Sequence, residues 1–344
     1  MNNDPPADLF ILPLILLVLA ASVWAWWRPI SRVAGGNPLL DLEPRAACPW
    51  GLLDLIIAFF LWAGCGTFLV RILATRFGIQ DPSDLAELSP DGRAAVLFGG
   101  ALAMSAACVL SIAVVRLRTG AGLVDLGIDF ARVGADLQLG FRAFVMLAPI
   151  VYGMQIVLVK WFESKHPLIE LLKEHPDPWF FVLSGIAALI VAPLAEEYFF
   201  RVLLQGWFEQ VAAYGSTVTQ ILLGGRPDDV NSDLLARPVS DQHDPRRSPD
   251  QSEVAVESQS ADYGFGIARN RSRLTAMWPI ALSAFLFAMA HSSHGPDPIP
   301  LFVLAVGLGY LYQRTHRILP CIVVHFLLNS CSMAVLCLLV YFGE

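Results

Sequence analysis

Three ionisable residues interrupt a long apolar segment in the second half of the chain. Glu196, Glu197 and Arg201 follow a stretch from Trp179 to Ala195 that carries no charge. An ionisable side chain near the middle of a membrane helix costs roughly 2.5 to 3.5 kcal/mol on insertion scales, so three of them together indicate a functional site. Glu197 and Arg201 lie four residues apart, on one face of a helix and in the favourable order for an ion pair.

Glu196 projects in a different direction from Glu197. At 3.6 residues per turn, neighbouring positions lie about 100° apart around a helix, so Glu196 points away from the ion pair. With Arg201 neutralised by Glu197, Glu196 remains as a carboxylate in surroundings of low dielectric constant. Such a carboxylate is suited to act as a general base.

Two other apolar runs carry imidazoles. His291 follows Phe287 by four residues at the end of one run, and Asn329 follows His325 by four residues in the last run. Two kinds of chemistry fit this set. Either Glu196 deprotonates a water while His291, His325 and Asn329 hold that water and stabilise an oxyanion, or Glu196, His291 and His325 bind Zn²⁺, which activates the water. Both predict hydrolysis of a carbonyl substrate.

The elements that must position these residues are apolar runs of membrane-spanning character. The chain of 344 residues is 56% hydrophobic and only 15% charged, with a mean hydropathy of +0.57, whereas soluble domains carry roughly 25% charged residues. Eight runs are visible: 9–27, 51–73, 94–115, 141–161, 178 onward, 274–290, 301–312 and 319–342. We therefore predict an all-α, polytopic membrane protein with about eight transmembrane helices and a catalytic bundle in its C-terminal half.

Basic residues beside these runs predict the topology. Arg28 and Arg32 follow the first run, Arg116 and Arg118 follow the third, and Arg317 follows the seventh. Positive charge marks the cytoplasmic side, so we expect both termini outside a bacterial plasma membrane. The net charge of −7 gives no surplus of positive charge to neutralise phosphates, so a nucleic-acid partner is not expected.

The chain divides by composition into two units and an insertion. Residues 1–177 contain the N-terminal helices, and residues 178–342 contain the polar groups that could do chemistry. The segment 224–273, rich in Asp, Ser, Pro, Gln and Arg, interrupts the second unit and is predicted to be disordered, because it has little to bury. The six cysteines show no CxxC spacing and are predicted to be free thiols. Gly307 and Gly309 are predicted to serve close helix packing.

Three short motifs resemble those of the CPBP family, which contains the CAAX prenyl proteases and related bacterial intramembrane proteases. EEYFFR, from Glu196 to Arg201, resembles its EExxxR motif; FAMAH, ending at His291, resembles FxxxH; and HFLLN, from His325 to Asn329, resembles HxxxN/D. The order of the motifs, their placement on separate helices and Pro193 before the acidic pair are also similar. The resemblance covers residues 178–342.

The resemblance implies an intramembrane endopeptidase in which Glu196 activates the water. Glu197 and Arg201 would support Glu196, and His291, His325 and Asn329 would form the oxyanion site. We favour the metal-independent glutamic mechanism, with the zinc mechanism as the alternative. The expected substrate is a membrane protein, a peptide or a prenylated peptide in the lipid bilayer. Val202 departs from the glycine that often follows the arginine in the family, and the insertion is longer than expected.

Two other functions fit the sequence less well. A transporter would also carry ionisable residues in mid-membrane, but no internal repeat is apparent and the polar groups cluster in the C-terminal half. A catalytically silent scaffold or immunity protein of the same family would not need an intact Glu196, His291 and His325.

Straight helices with level ends would not bring the candidate residues together. His291 lies 17 residues after Leu274, about 25 Å at 1.5 Å per residue, whereas Glu196 and His325 are predicted nearer the cytoplasmic side. A cytoplasmic extension of the sixth helix, tilted helices or a thinned, water-filled cavity would each remove this conflict.

Overall fold

The computed structural model describes residues 8–44, 47–78, 88–162, 172, 177–212, 216–225, 273–292 and 295–341. Most of the predicted insertion, residues 226–272, lies outside these ranges, as does Phe342 at the end of the predicted catalytic unit. Within the described ranges the secondary structure is helical, without strands, so the all-α prediction is confirmed.

Nine helices are present in the described part of the chain. They are α1 (Asp8–Ala34), α2 (Leu52–Phe77), α3 (Pro90–Thr119), α4 (Val133–Val159), α5 (Pro178–Ala212), α6 (Val218–Leu223), α7 (Arg273–Met289), α8 (Pro298–Thr315) and α9 (Leu319–Tyr341). The eight predicted runs coincide with α1 to α5 and α7 to α9, and α6 is an additional short helix. Of the helices described, α2, α3, α4 with its preceding turn, α5 and α9 are long and apolar enough to cross a membrane.

Helix α5 lies at the centre of the packing. It contacts α3, α7, α8 and α9, while α2 packs on α3, and α4 packs on α1 and α9. The main core cluster contains Trp50, Tyr198, Val202, Tyr312 and Val324. Large apolar side chains such as Trp24, Phe60 and Trp179 are exposed, as expected for surfaces that face lipid.

Helix α5 is not a regular α-helix. Two π-helical segments, Ala187–Val191 and Tyr198–Gln205, flank the short α-helical stretch Ala192–Glu197. The helix continues past Arg201 to Ala212. π-Helical turns inside α-helices occur frequently at functional sites.

The helix ends that carry basic residues meet at one face of the molecule. Arg132 at the start of α4 and Arg317 in the turn between α8 and α9 both contact Glu43, from the loop between α1 and α2. Arg317 Nε also donates to Asp136 Oδ1 at 2.6 Å. We call Glu43, Arg132, Asp136 and Arg317 the turn cluster.

The turn between α8 and α9 is buried beneath neighbouring loops. The Ile318 amide donates to the Gly127 carbonyl at 3.0 Å, and both Arg317 and Ile318 are buried. Burial lowers the pKa of Arg317, but hydrogen bonds to Glu43 and Asp136 outweigh that effect and raise the pKa above its ordinary value. Arg317 therefore stays charged, and α9 begins below the surface.

All six cysteines are free thiols, as predicted.

Candidate active site

Glu197 is the buried centre of the site. Arg201 Nε donates to Glu197 Oε2 at 2.9 Å, which forms the ion pair expected from the four-residue spacing. His325 Nδ1 lies 2.9 Å from Glu197 Oε1, and because a carboxylate only accepts, the imidazole donates this bond. The side chains of Glu197 and Arg201 have no exposed surface. Glu197 thus holds both a cation and an oriented imidazole.

Glu196 occupies a different environment although it is the adjacent residue. Its Oε2 lies 3.7 Å from His325 Nε2, and its side chain is 21% exposed. Among the described residues, this oxygen has no hydrogen-bond partner. This oxygen is itself buried, so the exposed part of the Glu196 side chain does not include Oε2. The two carboxylates therefore contact the same imidazole but differ in how fully they are hydrogen-bonded.

Phe287 packs between the two imidazoles. Its ring centroid lies 4.9 Å from that of His291 and 6.1 Å from that of His325, and Phe287 is fully buried. The guanidinium of Arg201 lies 5.2 Å from the same ring centroid, within range of a cation–π contact. The Phe287 carbonyl accepts from His291 Nδ1 at 2.8 Å. Helices α5, α7 and α9 together thus assemble the three predicted motifs.

Straight helices with level ends would place His291 at a different depth from Glu196 and His325. The structure does not show this difference, because the helix ends are not level. Helix α7 runs antiparallel beside α5, since Trp278 contacts Phe208 at 5.4 Å and Phe287 contacts Phe200 at 5.1 Å between ring centroids. His291 therefore reaches the level of Glu196, and the two groups interact electrostatically. The buried turn before α9 places His325 deeper than its position in the sequence suggested.

Asn329 contacts the main chain of α5. Its Nδ2 donates to the Ala188 carbonyl at 2.8 Å, in the first π-helical segment. Val202, the departure from the family pattern, is fully buried in the main core cluster.

Gln205 and Ser283 are polar residues of the bundle that sequence reasoning did not single out. Gln205 is fully buried, and its Nε2 donates to the Gly309 carbonyl at 2.8 Å. Ser283 Oγ donates to the Phe200 carbonyl at 2.8 Å. The only available signal for Gln205 was its position four residues after Arg201.

The glycines of α8 confirm the predicted close packing. A Cβ atom on Gly309 would lie 2.9 Å from Gln205 Oε1 and from Ile280 Cγ2, and one on Gly307 would lie 2.8 Å from Leu147 Cδ1.

The described residues contain no group of three His, Cys, Asp or Glu side chains arranged to hold a metal ion. His325 Nδ1 is already bonded to Glu197, and His291 Nδ1 to the Phe287 carbonyl. Such outer partners also orient zinc-binding imidazoles, but Glu196, His291 and His325 do not converge as a ready zinc site.

Comparison with protein families gives a match in the C-terminal part of the chain. Residues 263–331 match the model described as Type II CAAX prenyl endopeptidase Rce1-like. The matched segment includes His291, His325 and Asn329, whereas Glu196, Glu197 and Arg201 precede it. The match confirms the predicted resemblance to proteases of the CPBP family. The chain is therefore similar to CAAX-protease-like endopeptidases over residues 263–331, and five of its described helices are long and apolar enough to cross a membrane. Neither the search of curated proteins nor that of solved structures gave a significant match.

Proposed function

We propose that this chain is an intramembrane endopeptidase in which Glu196 activates a water for attack on a peptide bond. The observation that carries the proposal is the contrast between two adjacent carboxylates: Glu197 is buried and bonded to Arg201 and His325, whereas Glu196 is partly exposed and lacks a hydrogen-bond partner for Oε2 within the described ranges. One carboxylate is thus suited to hold the site together and the other to take a proton.

In the proposed reaction the attacking water enters beside Glu196 Oε2 and His325 Nε2, which are 3.7 Å apart. Because Glu196 Oε2 is buried, this step requires the two side chains to move apart. Glu196 accepts one proton from this water as its oxygen forms a bond to the carbonyl carbon of the substrate. Glu197 accepts a hydrogen bond from His325 Nδ1, so the imidazole keeps its orientation during the step. A buried partner of this kind makes the alignment of the reacting groups independent of the substrate.

The tetrahedral intermediate then collapses without a net change in the enzyme. The carbon–nitrogen bond breaks, and Glu196 returns its proton to the leaving amine, which restores the carboxylate. His291 and His325 stabilise the oxyanion, and this role requires an imidazole that can donate through Nε2. Since Nδ1 of each ring already donates to Glu197 or to the Phe287 carbonyl, the donating ring must be an imidazolium. Asn329 Nδ2 already donates one hydrogen to the Ala188 carbonyl, so Asn329 could bind the oxyanion only through the second hydrogen of Nδ2.

The substrate is a peptide bond in a membrane-associated chain. The matched family makes a prenylated C-terminal peptide one candidate, and a transmembrane or interfacial peptide without a lipid is the other. The topology proposed with this function has both termini outside, with the face that carries the turn cluster in the cytoplasm.

The proposal predicts that Glu196→Gln abolishes cleavage without unfolding the protein. Loss of the general base should lower kcat/KM by about 10² to 10⁴-fold, and the neutral side chain keeps the size of the native one. The assay uses purified protein in detergent or liposomes, with a panel of membrane peptides and a prenylated tetrapeptide. Glu209→Gln, the same substitution further along α5, is the matched control and should retain activity.

The same assay separates the two mechanisms and the rival functions. Cleavage that survives a zinc chelator and disappears in Glu196→Gln and His291→Ala supports the glutamic mechanism, whereas loss with the chelator and recovery with zinc supports the metalloprotease. Equal cleavage by the wild type and a folded Glu196→Gln variant would contradict the proposal. Absence of any cleavage across the panel by folded protein would favour the scaffold or the transporter.

A further inference from the structure

The hydrogen bonds of α5 are interrupted just before the acidic pair. In an α-helix each carbonyl accepts from the amide four residues later, so the Ala188 carbonyl should accept from the Ala192 amide. The Ala192 amide instead donates to the Ala187 carbonyl, five residues earlier. The π-helical turn therefore takes away the regular donor of Ala188.

The next amide along the chain cannot replace this donor. In the π-helical pattern, with bonds between residues five apart, the Ala188 carbonyl would accept from residue 193. Residue 193 is proline, which has no amide hydrogen. Because the hydrocarbon region of a bilayer offers no water to a lone carbonyl, a donor from another helix is needed to satisfy it.

Asn329 supplies that donor. Its Nδ2 lies 2.8 Å from the Ala188 oxygen, and a carbonyl oxygen can only accept, so the amide nitrogen must face it. His325, one turn earlier on α9, donates to Glu197. Two residues on one face of α9 thus hold the segment 188–197 of α5 at both ends, with Glu196 inside that segment.

We propose that Asn329 is a positioning residue: it replaces the main-chain donor that Pro193 removes, and so fixes the widened turn of α5 that sets the direction of Glu196. The inference rests on the proposed function, in which Glu196 is the base. It differs from the oxyanion role, because the amide of Asn329 acts on the enzyme's own backbone and is engaged before any substrate arrives.

A double-mutant cycle between Pro193 and Asn329 tests the proposal. Pro193→Ala restores an amide hydrogen that can reach the Ala188 carbonyl, so the bond from Asn329 becomes dispensable. We expect Asn329→Ala to lower kcat/KM by about 10- to 100-fold in the wild type, mainly through kcat, as for a buried acceptor left without its donor. In the Pro193→Ala background the same change should cost less than about threefold, because the two substitutions are coupled.

An oxyanion donor would give a different result. If Asn329 acts on the substrate, its removal costs the same factor with and without Pro193, and an equal loss in both backgrounds would overturn the proposal. Ser330→Ala is the matched control, because Ser330 Oγ also bonds to a main-chain carbonyl, that of Phe326 in its own helix. That variant should leave kcat/KM unchanged.

A structural measurement decides the case if Pro193→Ala proves inactive. Solid-state NMR on resting protein labelled with ¹⁵N-asparagine and ¹³C-carbonyl alanine reports the contact directly, because no alanine precedes any of the six asparagines in the chain. Dephasing between an asparagine side-chain nitrogen and an alanine carbonyl, lost in Asn329→Ala, is the expected result. Its absence in the wild type would refute the inference. The contact does not depend on catalysis, so failure of the proposed function would show separately, as cleavage that persists in Glu196→Gln.

Discussion

Two clusters of buried charge can be compared within this bundle. We call Glu196, Glu197, Arg201 and His325 the site cluster, and the turn cluster joins Glu43, Arg132, Asp136 and Arg317 at the ends of the helices. In both, an arginine Nε donates to a carboxylate, at 2.9 Å in the site cluster and at 2.6 Å in the turn cluster. In each cluster one carboxylate oxygen has no hydrogen-bond partner among the described residues: Glu196 Oε2 in the site cluster and Asp136 Oδ2 in the turn cluster.

The clusters differ in charge balance and in access. The turn cluster has two acids and two arginines, whereas the site cluster has two acids, one arginine and an imidazole that contacts both acids. The Glu196 side chain is 21% exposed and that of Asp136 only 1%. A buried ion pair with an unpaired oxygen is therefore not by itself a sign of catalysis. The distinguishing feature is a partly exposed acid, Glu196, beside an imidazole that contacts both acids of the cluster.

The largest effect in this comparison is expected for Glu197→Ala. The change leaves the buried Arg201 without its counter-ion, and removing one partner of a buried pair costs roughly 3 to 5 kcal/mol. His325 also loses the acceptor of Nδ1, so any folded protein should lack measurable cleavage. Thermal unfolding in detergent, read beside the cleavage assay, checks both outcomes.

Glu196→Gln is the reference for this result, since it should abolish cleavage and leave the unfolding temperature nearly unchanged. Native stability in Glu197→Ala would show that the ion pair with Arg201 does not hold the bundle together, and the two acids would then no longer differ in role.

The turn cluster should show the opposite behaviour. Asp136→Asn keeps the shape of the side chain but weakens the bond to the buried Arg317, and we expect it to lower the free energy of unfolding by about 3 kcal/mol. The kcat of the folded protein should stay within about threefold of the wild type, because a structural pair acts on stability and not on the reacting groups. Stability is measured by denaturant unfolding and kcat on freshly purified protein. A large fall in kcat at unchanged stability would mean that the buried turn controls the position of His325.

Much of this comparison could be predicted from the sequence. The eight apolar runs coincide with helices because a run of apolar residues is a local signal of a membrane helix. The pairing of Glu197 with Arg201 follows from their spacing. That Glu196, His291 and His325 are the catalytic groups remains a prediction.

Other features depend on contacts between distant segments and gave no local signal. The common depth of Glu196 and His291 results from the antiparallel packing of α5 on α7, and the depth of His325 results from loops that cover the turn before α9. Beside Pro193, in the π-helical turn Ala187–Val191, the Ala188 carbonyl accepts from Asn329 of α9, which lies 136 residues after Pro193 in the chain. The sequence shows that Pro193 lacks an amide hydrogen, but it does not show that Asn329 donates to the Ala188 carbonyl in its place.

The smallest expected effect concerns the packing that supports the site cluster. Gly309→Ala would place a Cβ atom 2.9 Å from Gln205 Oε1 and from Ile280 Cγ2, and overpacking of this kind costs about 1 to 3 kcal/mol. Gln205 Oε1 ends a flexible side chain, but Ile280 Cγ2 is bonded directly to the Cβ of a fully buried, β-branched residue. We therefore expect a cost within this range and a fall in kcat of about twofold.

Gly66→Ala in α2 is the matched control, because nothing lies within 4 Å of the added Cβ. Replacing a glycine by alanine inside a helix should there raise stability by about 0.5 to 1 kcal/mol. We expect Gly309→Ala to lower the unfolding temperature and Gly66→Ala to raise it. This result would confirm that α5, α7 and α8 pack closely around Gln205, whereas α2 and α3 leave space at Gly66. If both variants stabilise the protein equally, α8 does not approach α5 closely at Gly309. Packing between α8 and α5 would then not be what keeps Arg201 and Glu197 in place.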